Sequence, residues 1–209
     1  MHIEYIKPFP ADRLLSGLRR IRLMGYDGAQ PYAEASLELV PGLDTSVLTP
    51  AQNYVLMSGV EKVLELRAAL LARDVDIFAL DGGLYVSTSD HPHEPIPVIP
   101  PVVEESREPD GRTVLLINDG MHRIYAARSL GLPISVVVVR GVPAKYPYYA
   151  YALDGGWSCV TRLAELPDGY QKKAYRRPDN YRALFRDFNA VFPGVQKQRK
   201  QSNPSHIIA

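Results

Sequence analysis

Residues 114–131 run VLLINDGMHRIYAARSLG, and this stretch decides the fold. The apolar run Val114, Leu115, Leu116, Ile117 stops at Asn118-Asp119-Gly120. A helical pattern follows at once, with His122 and Arg123 in its first turn and Gly131 as its stop. Strand, tight turn and short helix are therefore expected. Behind them, PISVVVVRG is β-branched and apolar, as a buried strand is. Ahead of them, VVEES and TVLLIND flank Pro109-Asp110-Gly111, which makes the two runs a hairpin. The centre of the chain is thus strand, turn, strand, loop, helix, strand, and the fold class is α+β.

The junction also carries chemistry. A helix start offers backbone N–H groups and partial positive charge, which attract anions. Gly120 permits φ > 0 and a close approach of backbone to ligand. Arg123 can fork onto phosphate or carboxylate oxygens. His122 can donate a bond or move a proton near neutral pH. Asp119 can take a proton from a hydroxyl or hold Mg²⁺. An anion cradle, a cation and an acid are what phosphoryl chemistry needs. The same residues also suit a plain helix cap with His122 and Arg123 in solvent.

INDGMHRIYAARSLGLPISVVVV resembles the signature of the ParB/sulfiredoxin superfamily: Asp-Gly-x-His-Arg, short helix, Leu-Gly, strand. The hairpin before it is similar to that family's strand–turn–strand, and the resemblance spans residues 48–140. It implies a small mixed sheet with flanking helices. It also implies that nucleotide phosphates rest on the loop formed by Gly120, Met121, His122 and Arg123. Sulfiredoxins carry a cysteine where Met121 stands, so sulfinic-acid reduction is not expected. Chromosome-partitioning ParB proteins carry Gly-Glu-Arg-Arg and a helix-turn-helix behind it; here the motif differs and no clear helix-turn-helix follows. DGMHR departs only at Met121 from the Asp-Gly-His-His-Arg of a branch that includes free-serine kinases.

That resemblance implies a nucleotide-dependent phosphotransferase acting on a small hydroxyl-bearing metabolite, with ATP or ADP and Mg²⁺ as cofactors. Asp119 would be the base toward the hydroxyl, with His122 as the other catalytic candidate. A second acid is expected upstream, with Glu61, Glu104 and Glu105 as candidates. Glu104 and Glu105 are adjacent on a strand, so one side chain faces each side. One of them is a candidate Mg²⁺ ligand; the alternative is an edge strand with solvated charge.

The rest of the chain sets bounds. Its 209 residues suit one sizeable domain with appendages. Net charge is +1, so no global field argues for nucleic acid or membrane. One cysteine, Cys159, excludes an internal disulfide and suits a reducing, cytoplasmic location. No signal peptide or membrane span is expected. Three parts are expected: a helical and loop extension over 1–47, the nucleotide-binding core over 48–142, and an aromatic, basic, helical extension over 143–209.

Within these, helices are expected over PADRLLSGLRRIRLMG (10–25) with Asp12 as N-cap, at 48–76 with Thr49 as N-cap and Gly59 as a break point, and at 178–192. A short strand is expected at ASLELV, and a hairpin around Asp81-Gly82-Gly83. The proline-rich stretch 91–101 fits neither an interior strand nor a helix, so an extended surface connection is expected. Its His91 and His93, with Asp90 and Glu94, lack metal-ligand spacing. Residues 170–200 hold nine Lys/Arg against Asp179 and Asp187, which opens a second functional reading: a nucleic-acid-associated ParB-like protein. Tyr148, Tyr149, Tyr151 and Trp157 either wall a ligand site or, as expected, cement the C-terminal segment to the core.

Overall fold

The computed structural model describes residues 1–89 and 91–195, with 91–94 described through their backbone alone. In chain order the strands and helices are β1 (Ile3–Pro10), α1 (Ala11–Arg19), β2 (Arg22–Leu23), β3 (Ser36–Leu43), β4 (Leu48–Thr49), β5 (Tyr54–Leu56) and α2 (Met57–Leu71). Then follow β6 (Gly82–Thr88), β7 (His91–Val98), β8 (Val102–Arg107), β9 (Thr113–Ile117), α3 (Met121–Ser129), β10 (Ile134–Arg140), β11 (Thr161–Leu163) and β12 (Arg186–Asp187). The fold is α+β, as the pattern around the central turn predicts.

A mixed five-stranded sheet in the order β3-β10-β8-β9-β4 forms the centre. β10 runs parallel to β8 and antiparallel to β3, and β8 and β9 form the expected antiparallel hairpin. Asp110 closes that hairpin by accepting the Arg112 N–H at 2.9 Å, with Gly111 at φ 88°. Side chains of β10 alternate between two cores, as strand geometry requires. Val136 and Val138 pack with Ile124, Ala126 and Ala127 of α3 and with Val60 of α2. Val137 and Val139 pack with Leu14 and Leu18 of α1 and with Phe188 and Phe192 from the C-terminal segment. Glu104 shares a face of β8 with Val102, and so points to the second core.

Several expectations change. The helix expected over 48–76 begins only at Met57, because Thr49 pairs in β4 with Leu116 of β9 and 54–56 pair with β11. Gly59 does not break it but sits in its first turn. Residues 77–80 form no strand; β6 instead pairs with β1 and β7. The proline-rich stretch is the edge strand β7 of the sheet β1-β6-β7, so it is indeed not interior. Pro10 precedes α1 in place of the expected cap, and Asp12 lies in the first turn.

The α-helix expected over 178–192 is two 3-10 turns, Tyr181–Leu184 and Phe188–Ala190, on either side of β12. At its centre Arg186 pairs with Leu23 of β2 and its side chain turns inward. It is 2% exposed, and a buried guanidinium must be neutralised and hydrogen-bonded. Its Nε and Nη2 fork onto Glu104, each at 2.8 Å. Its remaining N–H groups donate to the carbonyls of Tyr146, Pro147 and Leu184. Tyr32 donates to the same carboxylate at 2.5 Å. Burial first, then the Glu104 charge, pushes the Tyr32 hydroxyl well above its ordinary range, so it stays a donor. A second buried carboxylate, Glu108, takes Arg176 at 2.5 Å.

The tyrosines cement the C-terminal segment, as expected. Tyr149 lies edge-on to Phe185 at 4.6 Å, Tyr175 stacks on Tyr181 at 3.8 Å, and Ala150 bridges to Tyr175. Trp157 instead packs by Tyr125 of α3 and donates to the Leu48 carbonyl at 2.7 Å.

Arg186→Met is expected to cost about 3–5 kcal/mol in urea unfolding, because Glu104 is left charged and buried; adding Glu104→Gln recovers much of that loss. Burial and the neighbouring hydroxyls push Tyr175 up to about 12. A raised tyrosine pKa gives stability that is present below the unfolded value near 10 and lost as pH rises through the folded value. Melting temperature should therefore fall between about pH 10 and 12, and Tyr175→Phe should flatten that fall.

Candidate functional site

β9 ends at Ile117, and the chain turns back on itself against β8. The N–H groups of Asn118 and Asp119 both donate to the Val102 carbonyl, at 2.9 and 3.0 Å. Gly120 then takes φ 86°, ψ 22°, the left-handed conformation, as the N-cap of α3. A Cβ there would lie 2.7 Å from Cβ of Pro101, so position 120 requires glycine twice over. The first intrahelical bond is Ile124 N–H to Gly120 O at 3.0 Å. The amides of Met121, His122 and Arg123 therefore lie at the helix start, where partial positive charge collects.

A second helix start faces the first. The Leu56 N–H, at the N-cap of α2, donates to Nε2 of His122 at 3.2 Å. That bond fixes the tautomer: Nε2 accepts, so Nδ1 carries the proton. Gly59 makes room for the ring, since a Cβ there would lie 2.7 Å from Cδ2 of His122. Two helix N-termini thus converge through one imidazole. His122 is held between them rather than in solvent.

Asp119 and Arg123 form an i,i+4 pair at 3.0 Å, with side chains 13% and 14% exposed. Arg123 also donates to the Ile99 carbonyl. Burial holds the Arg123 guanidinium below its ordinary range, partly offset by the Asp119 charge. The pair is half-buried and internally neutralised, so what the loop presents to an anion is chiefly its backbone amides. Met121 packs against the α2–α3 core.

The five residues of the expected loop are together, and the adjacent glutamates of β8 face opposite sides, as expected. Glu104 is buried and bonded to Arg186, Tyr32 and, at 2.6 Å, Nδ2 of Asn118. Glu105 is on the opposite face, partly exposed, 3.7 Å from Arg140. β8 is interior to its sheet, so the edge-strand alternative for these two acids is overturned. Glu61 lies exposed on α2. Among the described residues no three His, Cys, Asp or Glu converge as a metal site. The cluster at 90–94 lies outside the described side chains.

The basic segment is largely used internally. Lys173 donates to the hydroxyls of Tyr148 and Tyr149, Arg176 to Glu108, Arg177 to Tyr26, and Arg186 to Glu104. Lys197, Arg199 and Lys200 lie outside the described residues. Gly59 and the Tyr32–Glu104–Asn118–Arg186 cluster were missed at the sequence level. Asn118 lies 14 positions from Glu104 across the hairpin, and the other contacts span 63 to 86 positions, which no local pattern encodes.

Among the described residues, no helix is long and apolar enough to cross a membrane. The family model of the ParB CE domain matches residues 13–161. That agrees with a ParB-like relationship and extends it well beyond residues 48–140. No curated protein matches the chain.

Gly120→Ala is expected to lower stability by about 1–3 kcal/mol from left-handed strain alone, read by thermal melting. Gly59→Ala should push the His122 ring off the Leu56 amide, visible as faster hydrogen exchange at Leu56.

Proposed function

The chain belongs to the ParB CE domain family, and on that footing we propose that it is a nucleotide-dependent phosphotransferase acting on a small hydroxyl-bearing metabolite. One observation carries the reading: two helix N-termini converge on His122, beside a left-handed Gly120. Backbone amides at helix starts are suited to phosphate oxygens, and the start of α2 meets that of α3 through the Leu56–His122 bond. ATP or ADP would lay its phosphates along Gly120, Met121, His122 and Arg123. His122 would line the phosphates from the first turn of α3, with its Nε2 taking the Leu56 N–H.

Asp119 would accept the proton of the attacking hydroxyl. A carboxylate accepts several bonds, so the Arg123 contact at Oδ2 orients it without exhausting it. Mg²⁺ would come with the nucleotide and neutralise charge on the transferring phosphoryl group, with Asp119 as the loop's own carboxylate. Glu104 has a different task in this arrangement, since Arg186 already takes both of its oxygens.

Calorimetric titration with ATP, ADP, CTP and GTP, each with Mg²⁺, tests the loop directly. At least one nucleotide is expected to bind. Asp119→Ala should retain that binding while phosphate transfer falls by about 10²–10⁴-fold, the usual worth of a positioned base. Binding without transfer to any hydroxyl metabolite removes the kinase half of the proposal. Affinity for DNA or RNA that falls steeply with salt would instead favour the nucleic-acid reading.

A further inference from the structure

Glu104 is bonded as a hub. Its Oε1 accepts from Arg186 Nε, Tyr32 Oη and Asn118 Nδ2, and its Oε2 accepts from Arg186 Nη2. Asn118 also donates to the Tyr32 hydroxyl at 2.5 Å. Three of the four residues are buried, and the fourth, Asn118, is the residue immediately before Asp119. The hub therefore ends at the ligand loop. We propose that Glu104 is a positioning residue for that loop: clamped by Arg186 and Tyr32, it fixes Asn118 and thereby sets where Asp119 and the α3 amides point.

The argument is one of constraint. Two backbone bonds, both to Val102 O, hold the amides of residues 118 and 119 against β8, so both meet at one oxygen. The Asn118 side chain supplies a third tie, to an acceptor that cannot move because Arg186 satisfies all its own donors on fixed groups. Charge-assisted bonds of this kind are the stronger and shorter ones, so the tie is stiff. Arg186 lies outside the matched residues 13–161, so a segment beyond the family domain sets the geometry of a loop within it.

The ligand part of this inference rests on the nucleotide reading above; the positioning part does not. Asn118→Ala cuts the tie and leaves Glu104 paired with Arg186 and Tyr32. Tyr32→Phe removes the hydroxyl that donates to Glu104 and accepts from Asn118, and leaves residues 119–123 themselves unaltered. Hydrogen exchange read by mass spectrometry is expected to quicken at 119–124 by about tenfold in both, with β10 and the melting temperature nearly unchanged.

Nucleotide affinity, measured by calorimetry with the nucleotide that binds the unaltered protein, should weaken by about tenfold at that same melting temperature, a change that mere loss of stability does not give. Unchanged loop exchange in both variants, or acceleration spread evenly over the molecule, overturns the positioning role. If exchange quickens at 119–124 but the unaltered protein binds no nucleotide, the positioning role stands and the nucleotide reading falls.

Discussion

The fork of Arg186 onto Glu104 is the interaction on which the arrangement depends. A charged pair inside a protein gives little net stability, because removing both ions from water costs nearly what their attraction returns. It does give uniqueness. Glu104 lies in the interior of the sheet, and the packing observed for the C-terminal segment brings Arg186 onto it. The chain around 181–190 reaches it through two 3-10 turns and β12 rather than a regular helix. The tyrosine and phenylalanine contacts then fill the space that this path leaves. Glu108 and Arg176 repeat the arrangement at the far end of the same hairpin.

The central elements were legible because local patterns agreed with the tertiary outcome. Asp110-Gly111 closes the hairpin, Gly120 starts α3 and Gly131 ends it, each through backbone geometry that the residue type itself favours. PISVVVVRG is buried on both faces, as its composition implies. The 178–192 segment misled for a definite reason. Its aromatics do repeat at helical spacing and several are buried, but periodicity weighs apolar residues and ignores where a single cation must go. The start of α2 misled differently: Thr49-Pro50 is a good helix start, yet parallel pairing with β9 claims Thr49 first.

The loop itself was legible as a cluster, not as a geometry. Sequence places Asp119, Gly120, His122 and Arg123 side by side. It does not show that His122 would be held by the Leu56 amide, or that Arg123 would spend its charge on Asp119. Both bonds matter to the chemistry. They turn a motif that resembles a set of free catalytic groups into one whose side chains are bonded within the frame, with the backbone amides at the helix start. Glu104 shows the same shift, from candidate metal ligand to a carboxylate bonded by Arg186, Tyr32 and Asn118.

The edge strand β7 bears on how the molecule behaves among its own copies. Among the described residues its one strand neighbour is β6, and the strand includes Pro95 and Pro97. Proline offers no N–H, so this rim lacks donors where an approaching strand would need acceptors matched. A sheet edge of that kind is poor at recruiting a further strand. The prolines that set this stretch apart in composition thus act as a terminus: they end the three-stranded sheet at three, and guard it against growth into larger β-assemblies.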